Sequence, residues 1–161
     1  NETKASVIGS AIEEFNKIPG DLKQIRSLPE IVTKDDVTFK NPLNHMTVMF
    51  KKEAVLEAGN YIPLEGFEDW YLWIRIFFSG GIIRNSKEVL VYTRVENMYE
   101  RRSGRKYITN EIQAMKKFYS SGLISFPRLI SNLIIRIPSR VLPISILTYL
   151  YKKFLRDFQD K

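Results

Sequence analysis

The amino-acid sequence predicts an α/β fold, with short strands and helices following one another along a single compact domain and a helical segment closing the chain. Three stretches carry this reading. Ser6 to Phe15 (SVIGSAIEEF) opens with β-branched residues and partly alternates, which favours a strand, with a helix over Ala11 to Asn16 as the alternative. Met46 to Phe50 (MTVMF) is a short apolar run of the kind buried in a central strand. From Glu68, EDWYLWIRIFFSGG is apolar on all sides except a narrow stripe of Tyr71, Arg75 and Ser79, so it predicts a buried helix that Gly80-Gly81 ends.

The remaining elements fall between these. Pro19 and Gly20 mark a loop, Leu22 to Leu28 suits a strand, and Pro29 stands where the first turn of a short helix running to Val37 would begin. Asn41-Pro42 is the next break. KKEAVLEAG reads as a short helix stopped by Gly59. Ile82 to Arg84 and Glu88 to Arg94 predict one or two strands closing the sheet. Met98 to Lys106 is a basic loop, and Tyr107 to Ser120 has helical periodicity with Gly122 as its cap. These elements divide the chain into residues 1–122, the α/β part, and 123–161, a basic amphipathic tail in which Ile144, Leu147, Tyr151, Phe154, Leu155 and Phe158 share a face. Its longest uncharged run, Val141 to Tyr151, is well short of the roughly twenty residues that span a bilayer.

Composition excludes several chemistries. With 44% hydrophobic residues in 161, a buried core is expected. No cysteine means no disulfide framework and no thiolate metal site, and cytoplasm is the default compartment. The single His45 rules out zinc motifs that need two imidazoles. Asn1 to Ser6 lacks the features of a signal peptide, and the chain reads as a fragment. The net charge of +7 calls for an anionic partner, and from Leu123 onward seven cations face two acids.

Four groups of residues could carry chemistry. Glu68 and Asp69 enter the buried helix side by side, where a carboxylate is held rigidly enough to take a proton from an attacking hydroxyl; they equally suit a helix N-terminus with free amides. Arg101, Arg102, Arg105 and Lys106 surround Gly104, a grouping suited to a diphosphate, to nucleic acid or simply to solvent. Asn44-His45 precedes the MTVMF run, at the lip of a predicted central strand, so His45 either meets a ligand or a metal or is a satisfied core residue. Trp70, Trp73, Phe77 and Phe78 read as core, with Trp70, next to the carboxylates, the candidate to touch a sugar.

In this order and spacing, VIGSAIEEF, IRSLPE, NPLNHMTVMFKKEAVLEAGNY, EDWYLWIRIFFSGG, EVLVYTRVENMYERRSGRKY and SRVLPISILTYLYKKFLR resemble the second half of bacterial family 2 glycosyltransferases that build capsular, exopolysaccharide and O-antigen repeat units. The resemblance implies the second half of a GT-A, Rossmann-like domain: a mixed sheet with flanking helices and a helical C-terminal tail. It implies inverting transfer from a nucleotide-diphospho-sugar to a saccharide or polyprenyl-diphosphate-linked acceptor, at the inner face of the plasma membrane. Asp69 would be the general base, with Glu68 supporting it or touching the acceptor. Asn44, His45 and Trp70 would contact substrate, and Arg101 and Arg102 a diphosphate. The divalent metal, Mn or Mg, would be held mainly by an acidic motif before residue 1, because Asp35-Asp36 stands in the wrong context. This chain alone would then be inactive, and nucleic acid is not an expected partner. RRSG replaces the more usual RRGG. A basic module binding an anionic membrane or nucleic acid is the alternative function, and the tail's apolar stripe could instead pack on the missing half or on a second subunit.

Overall fold

The computed structural model describes residues 4–96 and 104–141. Its sheet is built around β1 (Val7–Phe15), a strand to its end rather than a helix from Ala11. Ala11 and Ile12, neighbours that point to opposite faces of a strand, are both closed to solvent, so β1 is covered on both sides. β4 (Ile83–Arg94) runs parallel to β1 from Val7↔Ile83 to Phe15↔Arg94, with register shifts on either side of Ala11. Along the opposite edge lie two short antiparallel strands, β2 (Gln24–Arg26) against Ile12 to Glu14 and β3 (Met49–Phe50) against Val7 and Ile8. The sheet is mixed, with helices flanking it, as the resemblance implies.

Two local expectations are corrected. MTVMF is not a buried central strand: His45–Thr47 forms a 3-10 turn, and only Met49 and Phe50 pair as an edge strand, with Met49 73% exposed. The turn forms because the Thr47 hydroxyl donates to the Asn44 carbonyl at 2.8 Å and accepts from the Ser10 amide at 2.8 Å, which bends the chain against β1. Nor does a helix begin at Pro29. The stretch after it stays extended beside β4, with Ile31 bridged to Arg84 and the Pro29 carbonyl accepting from Asn85 Nδ2 at 2.8 Å. Helix α1 (Lys34–Phe39) starts instead at a capping box, where Asp36 accepts from the Thr33 amide at 2.9 Å and Thr33 Oγ1 accepts from the Asp36 amide at 3.2 Å.

Helix α2 (Lys52–Glu57) ends as its glycine predicts: Gly59 takes φ +81° and its amide donates back to Leu56. Helix α3 (Glu68–Phe78) is the centre of the core, with Trp70, Tyr71, Leu72, Trp73, Ile74 and Ile76 all buried. Around it pack Val7 and Ile83 of the sheet, Val37 of α1, Val55 of α2 and Phe118 of helix α4 (Gly104–Ser120), together with Leu129 of helix α5 (Phe126–Arg136). Helix α4 is already helical at Gly104, three residues before the expected Tyr107. Asn132 of α5 is buried and donates to the Thr38 carbonyl at 2.9 Å, so the first helix of the basic tail shares the core of the α/β part, and the short helix α6 (Pro138–Val141) after it sets Arg140 against Glu111 of α4. The amphipathic stripe expected from Ile144 onward lies outside the described residues.

Candidate functional site

Helix α3 opens without a side-chain cap at Phe67, so its first amides look for acceptors and its dipole favours negative charge there. Asp69 answers locally, its Oδ1 accepting from the Trp70 amide at 2.7 Å. That is half of the helix-terminus reading of this residue. Its other oxygen faces outward from the helix: Oδ2 accepts from Asn41 Nδ2 at 2.6 Å and lies 3.9 Å from His45 Nδ1. The imidazole is too far for a direct hydrogen bond, and the gap has the width that one bridging oxygen needs to contact both groups. Asp69 retains 23% side-chain exposure and His45 53%, so the pair is fixed yet reachable.

Each partner is delivered by a different device. Asn41 is held by its own turn, its Oδ1 accepting from the Leu43 amide at 3.2 Å. His45 rides on the 3-10 turn, and Asn44 anchors that turn to the sheet: its buried Nδ2 donates to the Ser10 carbonyl at 2.8 Å and the Arg26 carbonyl at 3.3 Å. Asn44 thus positions His45 from beneath. Tyr61 closes the group, its ring edge-on to His45 at 6.3 Å, with Trp73 behind both. Burial first, and the Asp69 charge second, push the Tyr61 hydroxyl's pKa up, further from neutral pH.

Glu68 is half-buried beside Asp69 and has no partner among the described residues. Trp70 points into the core. Its Nε1 donates to the Val37 carbonyl at 2.7 Å and its ring packs at 5.1 Å against Phe118, which leaves no face for a sugar. Arg101 and Arg102 lie outside the described residues. The neighbouring cations are visible: Lys106 pairs with Glu65 at 2.7 Å, an ion pair that lowers the pKa of Glu65 and raises that of Lys106. Tyr107 packs on Phe67 at 5.7 Å, so the start of α4 is pinned to the residue that precedes Glu68 and Asp69. Asp35 and Asp36 are engaged elsewhere, Asp36 in the α1 capping box and Asp35 with Arg128. Among the described residues no cluster of three or more His, Asp or Glu side chains has the form of a metal site.

Sequence reasoning missed Asn41, Tyr61 and Arg75. Asn41-Pro42 registered only as a break, although an asparagine in a turn is also a free amide. Arg75 registered only as part of a polar stripe on α3, and Tyr61 only as the last residue of a stretch that carries the family resemblance.

With this geometry in place, the chain's relatives are informative. It is 36% identical over 94% of its length to an Escherichia coli protein named UDP-Gal:alpha-D-GlcNAc-diphosphoundecaprenol beta-1,3-galactosyltransferase. It is 36% identical over 93% of its length to an uncharacterized glycosyltransferase of Haemophilus influenzae. The chain is homologous to bacterial glycosyltransferases. A third relative, the amylovoran biosynthesis glycosyltransferase AmsE of Erwinia amylovora, is 31% identical over 90% of the chain. The chain spans about half the length of these curated relatives, between 55% and 57% of each. The periviscerokinin family matches only residues 120–129, the turn between α4 and α5, and a match that short assigns nothing. No solved structure matches the chain.

Proposed function

We propose that the protein carrying this chain transfers a sugar, with inversion, from a nucleotide-diphospho-sugar to a lipid-linked saccharide in surface-polysaccharide synthesis, and that Asp69 is the general base. The observation that carries this is the placement of Asp69. It is held through one oxygen by Asn41, faces His45 across an open gap, and sits in a chain homologous over nearly its whole length to bacterial glycosyltransferases. A carboxylate in that state takes the proton of an acceptor hydroxyl as its oxygen attacks the anomeric carbon. His45 donates to the same hydroxyl oxygen from the other side, and Glu68, without a partner among the described residues, binds the acceptor.

Arg101 and Arg102 contact the diphosphate of the leaving group or of the acceptor lipid. A divalent ion, Mn or Mg, neutralises the donor diphosphate when bound, with its main ligands outside this chain. The donor site lies in the part of the protein this chain does not include, and residues 1–161 alone are inactive. Among the described residues no helix is long and apolar enough to cross a membrane. The basic segment 123–161 meets the anionic inner face of the plasma membrane, which brings a cytoplasmic enzyme to its lipid-linked acceptor.

The test is transfer by the full-length protein with Mn or Mg, a panel of nucleotide-sugars and a polyprenyl-diphosphate-linked sugar, comparing native protein with Asp69→Asn. Asp69→Asn is expected to lower kcat by about a thousandfold with the fold intact. Unchanged activity reduces Asp69 to a helix-terminus residue, and no transfer by native protein overturns the transferase reading in favour of a basic binding module.

A further inference from the structure

We propose that Tyr61 is an acceptor-binding residue, its hydroxyl donating a hydrogen bond to the acceptor sugar next to the hydroxyl that Asp69 deprotonates; this rests on the transferase reading above. The backbone around it is unusual. Gly59 at φ +81° is followed by Asn60 at φ +58°, two consecutive left-handed residues of which only the first is a glycine. The second costs conformational energy that the surroundings must offset. They do so locally through the Asn60 amide, which donates to the Val55 carbonyl at 2.8 Å, and through Asn60 Oδ1, which accepts from the Tyr61 amide at 2.8 Å.

A long-range clamp adds to this. Arg75, from the middle of α3, donates through Nη1 to the Ala58 carbonyl and through Nη2 to the Asn60 carbonyl at 2.6 Å. Its Nε holds the Tyr71 carbonyl of its own helix at 3.1 Å, and its guanidinium lies 4.6 Å over the Tyr71 ring. Burial lowers the pKa of Arg75, the mark of a cation held partly out of water for the sake of these contacts. A guanidinium spent on two main-chain carbonyls of a surface turn fixes whatever the turn presents.

What it presents is Tyr61. The ring stands edge-on to Trp73 at 6.3 Å and to His45 at 6.3 Å, yet 41% of the residue remains exposed. That combination fits neither a core aromatic, which would be covered, nor a surface one, which would not be clamped. The buried indole N–H of Trp73 beside it has no acceptor among the described residues. A tyrosine offers an apolar ring to the C–H face of a sugar and a donor to its oxygens. With Asp69 accepting and His45 within reach of the same space, the three side chains complement a polyhydroxylated ligand. A phenol is protonated at neutral pH, and burial and the Asp69 charge push its pKa further up, so the hydroxyl is available as a donor.

The experiment uses the full-length protein, the panel of nucleotide-sugars and a polyprenyl-diphosphate-linked sugar, with Tyr61→Phe, which removes one oxygen and preserves the ring. The acceptor KM is expected to rise about tenfold, the effect of one lost hydrogen bond, while the donor KM, donor hydrolysis without acceptor and Tm stay at native values. An unchanged acceptor KM overturns the proposal, and so does a donor KM that rises as much as the acceptor's. These outcomes leave the transferase reading standing so long as native protein transfers sugar and Asp69→Asn does not; a native protein without transfer overturns both.

Discussion

Two carboxylates in this molecule receive opposite treatment. Glu111, on α4, is 0% exposed, and each of its oxygens is taken by an arginine: Oε1 by Arg136 Nε at 2.5 Å and Oε2 by Arg140 Nε at 3.0 Å. Those arginines are themselves seated on aromatic rings, Arg136 at 4.9 Å over Trp70 and Arg140 at 4.9 Å over Tyr107. Asp69 has one neutral amide on the oxygen that faces the site, and a gap beside it. A carboxylate enclosed by two charge-assisted bonds is a joint between helices, with no vacancy for a proton in transit. One held only by uncharged donors, the Trp70 amide on one oxygen and Asn41 on the other, keeps its orientation and retains a free lone pair. The difference separates structure from chemistry more clearly than residue type does.

The comparison can be broken by exchanging effects on rate and on stability. The largest change is expected from Asp69→Asn, about a thousandfold in kcat with thermal unfolding near native, measured side by side on the full-length protein. Glu111→Ala comes next and in the other currency: with two arginines left facing a void, stability falls by about 3 kcal/mol and Tm by roughly 10 °C in calorimetry. If Glu111→Ala instead spared Tm and removed activity, the assignment of the two carboxylates would be reversed. Asn41→Leu sharpens the reading of Asp69. Loss of the side-chain amide that orients its outward oxygen is expected to lower kcat about tenfold, and to have no further effect in an Asp69→Asn background, because the two act as one unit. The smallest effect belongs to Asp35→Asn. Asp35 pairs with Arg128 but is 88% exposed, so chemical denaturation is expected to shift by less than about 0.5 kcal/mol.

Much of the fold is legible in single stretches of sequence because each stretch records which of its faces is buried. β1 reads as a strand from its β-branched start, and α3 as a buried helix from an apolar surface that leaves almost nothing for water. Gly59 and Gly122, at φ +81° and +71°, stop their helices where the sequence places them. MTVMF misleads because a run of five residues, four of them apolar, has no period to read, and the hydroxyl of Thr47, not hydropathy, decides that the chain turns there. Trp70 misleads in a different way: adjacency to Asp69 in sequence puts the two side chains about 100° apart around a helix, one toward the site and one into the core.

The sequence by itself determined the strand β1, the buried character of α3, the glycine stops after α2 and α4 and the presence of an acidic pair at the entrance of α3, since all of these follow from local periodicity and backbone preference. Only the tertiary structure decided that Asn41, His45, Tyr61 and Asp69 meet, and that Glu111, outwardly one more glutamate on a polar helix, lies inside between two arginines. The physical reason is range: periodicity reports the direction a side chain faces, whereas the partner it finds depends on turns, register and helix packing that bring distant residues to the same few ångströms.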